Sequence, residues 1–565
     1  KKGILSWRVM NLKSLITATS FLILQTTQQS LSRAPRLALV IVLDGCPWQA
    51  LCDIKPFVTG GFKHFFENGL KYHNARYPYA GLSTGPGHTT IATGALPRDH
   101  GIVDNSWRNK NGIRIACDDA DSETSAVFSP TGFYEYGKAA ANIRVDGIAD
   151  QLVYASTRHK KNRTYTVSYK SRAAICMAGK LGKPFWFDDA IPERITSSKA
   201  YFEKLPDWVE TYNAQPKKEL SWQLVFDSHT HPAYEMVKNP PYEKLGLPTL
   251  MEQTNGFEKK VLERYFEYSP ASVEVTFAAA TNLLKQAIIE DSGDILIMVS
   301  ISGTDKLGHI YGPQSLEFID LLYHVDIELQ KFIDTAHAAA AHHKYTEPLC
   351  FLTADHGQLP IVELLKEEGF DQAHRVSEQT LKDKLNKKVQ KKLGKDELIK
   401  KINSPWVHFD QVSFKSLEKK QQIEAKKIVC KKLKKCKGII NAWSYPELLQ
   451  IPTQSKDWLS LYKNQAAPGR TAEVIFQMQP YTYVTKYQTG TGHNSPYEYS
   501  SHVPLICSHA TLLPAKDIEE SVYLTQLAPT LARYFGIQRP SAARYDPLPH
   551  TTMVNPLKSC RARHG

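Results

Sequence analysis

Closely spaced cysteines are missing from this sequence. It contains 9 cysteines in 565 residues, and no two of them form a Cys-x-x-Cys pair. Zinc sites built from thiolates depend on such pairs. The sequence therefore argues against a cysteine-based zinc centre.

Long apolar runs are missing as well. After the N-terminal region no stretch approaches the roughly 18 consecutive apolar residues of a membrane-spanning helix, so we expect no transmembrane helix there. The N-terminus has a basic start, an apolar run from Leu15 to Leu24 and a polar stretch from Gln25 to Ser32. This order is typical of a secretory signal peptide. We interpret residues 1–33 as a signal region and expect a periplasmic or secreted protein; a buried N-terminal helix is the alternative.

An excess of positive charge is missing outside one segment. The formal net charge is +13, and residues 381–440 alone carry 19 lysines and 6 acidic residues. The rest of the chain is therefore close to neutral. A lysine run at helical spacing is typical of a solvated helix face, so we expect no nucleic-acid partner.

Internal repeats and low-complexity linkers are also absent, and the remaining pattern alternates strands with helices. Apolar runs at 37–43, 295–301 and 350–352 read as buried parallel strands, and helical periodicity marks 271–290 and 315–340. This alternation predicts an α/β fold with a doubly wound, mostly parallel sheet flanked by helices. We expect one catalytic domain over 34–565, with a cap insertion at about 108–224 and a lysine-rich insertion at about 376–445.

Acidic residues follow three of the predicted strands: Asp44, Asp305 and Asp355. In doubly wound sheets ligands bind at the carboxyl ends of the strands. A single Asp at such a position is commonly a helix cap. We expect the three carboxylates to meet at one edge of the sheet.

Histidines accompany these acidic residues. Asp305 and His309 are four positions apart, so one helical turn places both side chains on one face. His356 follows Asp355 directly, and His493 lies in a glycine-punctuated loop. Each motif alone has an ordinary structural explanation, as a cap or a surface histidine. Together they are typical of a metal centre.

Thr84-Gly85-Pro86-Gly87-His88 precedes an apolar run and marks the start of a helix. The free N–H groups of a helix N-terminus favour an anion. Thr84 is therefore either a helix cap or a nucleophile beside a bound phosphate.

Three further polar residues have competing interpretations. Asn105 lies in a turn-like Asp104-Asn105-Ser106 sequence. Lys170 and Arg172 follow an alternating run from Thr164 to Tyr169, so we expect their side chains on the same side of an extended segment. Such a pair is commonly a solvated strand face.

Taken in order, these motifs resemble the alkaline phosphatase superfamily. Their spacing is most similar to the monoesterase branch of phosphate-irrepressible alkaline phosphatases, which are relatives of the nucleotide pyrophosphatase/phosphodiesterases. The resemblance extends over about residues 37–536 and rests on Asp44, Thr84-Gly85-Pro86-Gly87-His88, Asn105, Asp305-x-x-x-His309, Asp355-His356-Gly357 and Gly492-His493.

The resemblance implies a mechanism with two Zn²⁺ ions. One ion would be held by Asp305, His309 and His493. The second would be held by Asp44, Asp355, His356 and the oxygen of Thr84, which would act as the nucleophile and form a phosphothreonine intermediate. Asn105, Lys170 and Arg172 would contact the phosphate.

The same resemblance favours phosphate monoesters as substrates, because two added cations suit a dianion better than a singly charged diester. We expect a monomeric, exported alkaline phosphatase of broad specificity. A nucleotide pyrophosphatase/phosphodiesterase with the same metals is the main alternative. A sulfatase conflicts with Thr84, which cannot become formylglycine. A phosphoglycerate mutase relative would place Ser at this position, and an inactive metal-binding surface protein would have lost a ligand or Thr84.

Overall fold

The computed structural model describes residues 34, 36–132, 134–215, 222–226, 228, 230–241, 266–289, 293–452 and 458–551. The signal region interpreted at residues 1–33 lies outside this part of the chain. Within it, no helix is both long enough and apolar enough to cross a bilayer.

A central sheet forms the core of the molecule. Its parallel middle strands are Leu37–Leu43, flanked by Ile295–Ile301 on one side and Leu349–Thr353 on the other. All residues of these three strands are buried, as expected for strands covered on both faces. Across the described residues the sheet order is Lys516–Tyr523, Gly69–Arg76, Leu505–Ser508, Leu349–Thr353, Leu37–Leu43, Ile295–Ile301, Arg163–Ser168, Lys183–Phe187 and Ile195–Thr196.

Helices cover both faces of this sheet, and the long pair Pro270–Ile289 and Leu316–His342 pack against each other. The side chain of Ser315 caps the second of them by accepting a hydrogen bond of 3.3 Å from the N–H of Phe318. The predicted α/β class is confirmed. The other helices of the main body are Trp48–Ile54, Gly61–Asn68, Thr84–Thr93, Pro97–His100, Ile148–Tyr154, Ser171–Ala178, Asp207–Asn213, Gly303–Tyr311, Val362–Glu367, Glu498–Ser501 and Leu527–Phe535.

The segment expected to be a cap insertion at 108–224 contributes strands to the central sheet and also forms small separate hairpins. Arg163–Ser168 and Lys183–Phe187 pair in parallel with each other and belong to the central sheet. Small hairpins lie before them, formed by Ser106–Arg108 with Arg114–Ala116 and by Asp119–Ala120 with Gly137–Lys138. Three strands of the central sheet, Arg163–Ser168, Lys183–Phe187 and Ile195–Thr196, thus lie within the segment that the sequence analysis expected to be an insertion.

A second layered unit occupies residues 374–485, which we call the lysine-rich lobe. Its four-stranded sheet has the order Ile399–Asn403, Trp406–Phe409, Val474–Met478 and Ile439–Ser444. The helix Glu378–Leu393 buries Leu381, Leu385 and Val389, which recur every four residues, and exposes most of its lysines. The remaining elements are His374–Ser377 paired with Thr482–Thr485 and the helices Gln411–Lys415, Lys419–Leu433, Tyr445–Gln450 and Trp458–Gln465.

Candidate two-metal active site

The three acidic residues that follow strands lie at one edge of the central sheet. In the register of the middle strands Val42 is paired with both Ser300 and Thr353, so the three strands end at the same level. Asp44 follows the first strand directly. Asp305 lies in the first turn of the helix Gly303–Tyr311, and Asp355 lies just after the strand Leu349–Thr353. Strand register therefore brings the three carboxylates together.

Asp305, His309 and His493 form one group of potential metal ligands. Asp305 Oδ1 lies 3.3 Å from His309 Nε2 and 3.7 Å from His493 Nε2. The two Nε2 atoms are 3.2 Å apart. The helix places Asp305 and His309 on one face, as their spacing predicts, and His493 reaches them from the loop beyond residue 490.

Backbone carbonyls orient both imidazoles of this group. His309 Nδ1 donates to the carbonyl of Thr491 at 2.8 Å, and His493 Nδ1 donates to the carbonyl of Leu82 at 2.6 Å. With Nδ1 carrying the hydrogen, each Nε2 presents a lone pair to the cluster. Burial lowers the pKa of both histidines, and that of His493 falls well below its ordinary value, partly because other imidazoles lie nearby. Neutral imidazoles of this kind suit metal binding.

Asp44, Asp305 and His356 form a second group, which shares Asp305 with the first. His356 Nε2 lies 3.6 Å from Asp44 Oδ1 and 3.5 Å from Asp355 Oδ2. These three atoms are buried and have no hydrogen-bond partner among the described residues. Unpaired buried acceptors are costly. A cation between them would satisfy all three, so the residues present fit a bound metal ion.

Asp355 is tied to the surrounding loops by its other oxygen. Asp355 Oδ1 accepts hydrogen bonds from the N–H of Gly45 at 3.0 Å and of His356 at 2.9 Å. His88 Nδ1 lies 3.2 Å from Asp355 Oδ2, and this histidine also contacts Ser300 Oγ at 2.8 Å. Both ring nitrogens of the buried His88 side chain therefore have polar partners.

Lys170 lies between the two ligand groups. Its Nζ is 2.8 Å from Asp44 Oδ2 and 2.5 Å from Asp305 Oδ2. Burial alone would raise the pKa of Asp305, but the ammonium of Lys170 and the adjacent imidazoles hold it well below its ordinary value. Burial raises the pKa of Asp44 to about 7, with the carboxylate of Asp355 adding to the shift and Lys170 opposing it. One buried ammonium is thus shared by two carboxylates.

The expectation that Lys170 and Arg172 lie on one extended segment is wrong for Arg172, whereas the backbone of Lys170 is extended. The strand ends at Ser168, Lys170 is the N-cap residue, and Arg172 lies in the first turn of the helix Ser171–Ala178. The apolar, alanine-containing run from Ala173 to Ala178 favours this helix. Both side chains nevertheless line one cavity of about 450 Å³, together with Asn105. The Nε of Arg172 is a buried donor that has no acceptor within the described chain.

Thr84 is the first residue of the helix Thr84–Thr93 and is buried. Glycine at position 87 lets this N-terminus approach the metal ligands, because a Cβ there would lie 2.3 Å from the carbonyl oxygen of Asp355. Asn105 Oδ1 accepts a hydrogen bond of 2.7 Å from the N–H of Gly85. The structure therefore places Asn105 against the first turn of the Thr84 helix.

Two residues with evident roles in the site were missed by sequence reasoning. Gln358 Nε2 donates to the carbonyl of Asp305 at 2.9 Å and to its Oδ1 at 3.0 Å. Asp104 accepts from Ser83 Oγ at 3.1 Å and from the N–H of Asn105 at 2.7 Å. Gln358 directly follows the Asp355-His356-Gly357 motif, and Asp104 directly precedes Asn105. Proximity to these identified residues was the only signal in the sequence.

Known proteins are similar in sequence to this protein over most of its length. The family model described as type I phosphodiesterase / nucleotide pyrophosphatase matches residues 38–503. The alkaline phosphatase PafA of Elizabethkingia meningoseptica is 27% identical over 536 residues, covering 91% of this chain and 94% of its own length. The alkaline phosphatase PhoV of Synechococcus elongatus is 26% identical, with coverages of 90% and 91%.

The fold has a counterpart among solved structures. A crystal structure of wild-type PafA superposes with a TM-score of 0.78 at 24% identity and covers 92% of this chain and 99% of that one. The resemblance to the alkaline phosphatase superfamily is confirmed by these matches. Since the family model spans far more than half of the sequence, the chain belongs to the type I phosphodiesterase / nucleotide pyrophosphatase family and is a phosphoesterase of the alkaline phosphatase superfamily.

Proposed function

We propose that this protein is a zinc-dependent phosphomonoesterase that uses Thr84 as its nucleophile. The observation that carries the proposal is the pair of ligand groups joined through Asp305, at the same sheet edge as the N-terminus of the Thr84 helix. The names of the relatives PafA and PhoV, both alkaline phosphatases, agree with it.

The donor set supports zinc as the metal. The first group offers a carboxylate and two imidazoles from Asp305, His309 and His493. In the second group the carboxylate of Asp355 lies beside His356, and the proposed ligands of the second ion are Asp44, Asp355, His356 and Thr84. Imidazole nitrogen and carboxylate oxygen are ordinary zinc ligands. When bound, a zinc pair lowers the pKa of a hydroxyl nucleophile and stabilises the oxygen of the leaving group.

Thr84 then performs the covalent step. Its oxygen forms a bond to phosphorus while the bond from phosphorus to the alcohol oxygen breaks, which gives a phosphothreonine. A water oxygen then forms a bond to phosphorus while the bond from phosphorus to the Thr84 oxygen breaks, which releases inorganic phosphate, and a proton of that water restores the hydroxyl. The N-terminus of the helix directs free N–H groups toward the phosphate, and Asn105 is held beside this turn by its bond to Gly85.

Lys170 and Arg172 favour monoesters over diesters. A monoester dianion has one more charged oxygen than a diester, and two cations interact better with it. The ammonium of Lys170 already lies against Asp44 and Asp305, so a phosphate bridging the two ligand groups would be within its reach. The buried Nε of Arg172, which has no acceptor among the residues that the structure describes, could donate a hydrogen bond to a phosphate oxygen.

We further propose that the enzyme is exported to the periplasm or secreted, and that it acts as a monomer. The basic, apolar and polar order of residues 1–33 supports export. Fractionation of cells that express the full chain, with N-terminal sequencing of the product, tests this part separately from the catalytic proposal.

Metal analysis combined with kinetics tests the central proposal. We expect two zinc ions per chain and hydrolysis of aryl phosphate monoesters by the wild type. Thr84→Ala should lose most of the activity while retaining the metals, and acid quenching of the wild type should trap a phosphate on Thr84. Faster hydrolysis of a diester than of a monoester of the same alcohol would favour the phosphodiesterase alternative instead.

A further inference from the structure

A second cavity adjoins the metal ligands on the side of the lysine-rich lobe. Its volume is about 210 Å³, and its lining includes His309 and His493 from the first ligand group. The cavity of Asn105, Lys170 and Arg172 contains neither histidine. The side chain of His309 is 35% exposed, whereas that of His356 is fully buried. The first ligand group therefore opens into this second cavity, and the second group does not.

Two lysines, one in the lobe and one just after it, also line this cavity. Lys401 lies on the strand Ile399–Asn403, and Lys486 follows the strand Thr482–Thr485. Both are exposed, and neither forms a salt bridge in the described part of the chain. Glu378 also lines the cavity and lies in the electrostatic field of both lysines. Two ammonium groups against one carboxylate leave the wall with an excess of positive charge.

A buried hydrogen-bond network fixes this wall relative to the nucleophile. Asn403 Nδ2 donates to Asp104 Oδ2 at 3.0 Å, and Asp104 Oδ1 accepts from Ser83 Oγ, one residue before Thr84. Asp104 is 5% exposed. The strand that carries Lys401 is thereby held at a defined position above the site.

We propose that this cavity binds the leaving group, and that it selects phosphate monoesters whose alcohol carries a second anionic group, such as a carboxylate or another phosphate. The inference rests on the proposed function. In an in-line displacement the leaving oxygen lies opposite the nucleophile. Thr84 is proposed to act with Asp44, Asp355 and His356, so the group of Asp305, His309 and His493 lies on the leaving side. An alcohol released there enters the cavity that Lys401 and Lys486 make electropositive.

Two isosteric substrates test the inference. The zinc-loaded wild type should have a higher kcat/KM for 4-carboxyphenyl phosphate than for 4-carbamoylphenyl phosphate, which has the same shape and a neutral substituent. Lys401→Gln and Lys486→Gln should each reduce this preference about threefold, and the double variant about tenfold, since exposed ion pairs are weak individually. The preference should also shrink as salt is added.

Lys400→Gln is the matched control. Lys400 is the neighbour of Lys401 on the same strand, but it lies 3.7 Å from Asp410 and does not line the cavity. Calorimetric titration with the two corresponding aryl phosphonates, which are not hydrolysed, gives a readout independent of turnover. The double variant should lose affinity for the carboxylated phosphonate relative to the carbamoyl one.

The outcomes separate the two proposals. Equal hydrolysis and equal binding of the charged and neutral compounds would overturn the cavity assignment alone, as would an equal loss of preference in Lys400→Gln. Failure to hydrolyse either monoester would overturn the proposed function and this inference with it.

Discussion

Asp104 Oδ2 accepts a hydrogen bond of 3.0 Å from Asn403 Nδ2, and this bond joins residues 299 positions apart in the sequence. Asp104 also accepts from Ser83 and Asn105, so one buried carboxylate connects the segment of the proposed nucleophile, the proposed phosphate donor and the lysine-rich lobe. Several expected properties of the enzyme follow from contacts of this kind.

The stability of the protein should depend on the ionisation of Asp104. Burial raises the pKa of this carboxyl to about 6, although hydrogen bonds from Asn105, Ser83 and Trp406 and the positive charge of Lys401 oppose the shift. Its ordinary value is 3.8, so between about pH 4 and pH 6 the folded state binds the proton more tightly than the unfolded state. Stability contributed by Asp104 is therefore present at low pH and is lost as pH rises to about 6.

Asp104→Asn, which resembles the protonated acid, isolates this effect. The free energy of unfolding of the wild type minus that of the variant should fall by about 2 kcal/mol between pH 4 and pH 7. Urea denaturation at a series of pH values measures it. A difference that stays constant or rises with pH would contradict the assignment.

Loss of Lys170 and Arg172 should change substrate choice as well as rate. Charge-assisted hydrogen bonds contribute about 1.5–3 kcal/mol each, so replacing either residue by Ala should lower kcat/KM for a phosphate monoester by about 10- to 100-fold. The effect on a diester of the same alcohol should be smaller, because it carries less charge. Lys306→Ala is a control, since Lys306 lines the same cavity but pairs with Glu267 at 3.0 Å. Equal losses for both ester types would contradict the charge argument.

Metal removal should destabilise the fold as well as abolish activity. Asp44 Oδ1, Asp355 Oδ2 and His356 Nε2 are buried acceptors without partners in the described residues, and a bound cation would stabilise the native state by mass action. Chelation should lower Tm, and added zinc should restore both Tm and activity. His493→Ala should bind about one zinc ion fewer than the wild type in metal analysis. An unchanged Tm on chelation would argue against metals at these atoms.

Gly87→Ala should destabilise the protein, although alanine is the better helix former. A Cβ at this position would lie 2.3 Å from the carbonyl oxygen of Asp355 and would force the helix away from the ligand loop. We expect a loss of about 1–3 kcal/mol of unfolding free energy and a reduced kcat. Helix propensity alone predicts a gain of up to about 1 kcal/mol, so an increase in stability would contradict the contact.

Local patterns predicted much of the site. The buried strand before Asp44, the four-residue spacing of Asp305 and His309, and the small residues after Thr84 each carry a local signal, and strand register then brings them together. The helix that begins after Lys170 was missed because a short alternating run ends just before it.

Contacts between distant segments could not be predicted in the same way. In the lobe the strand Trp406–Phe409 pairs with Val474–Met478, and abundant lysines obscure the strand pattern around it. The bonds of Asp104 to Asn403 and of Gln358 to Asp305 also depend on the assembled fold. Polar residues of this kind acquire a role only after packing brings their partners within reach.

The position of Asp305 affects how metal ions would bind to the two ligand groups. Its carboxylate belongs to both ligand groups, with Oδ1 near the imidazoles of His309 and His493 and Oδ2 against Lys170. A metal ion bound by one group neutralises the Asp305 charge that the other group also uses. It also competes with the ammonium of Lys170 for this carboxylate. Occupancy of the two positions is therefore thermodynamically linked, and a zinc titration should depart from two identical, independent binding events.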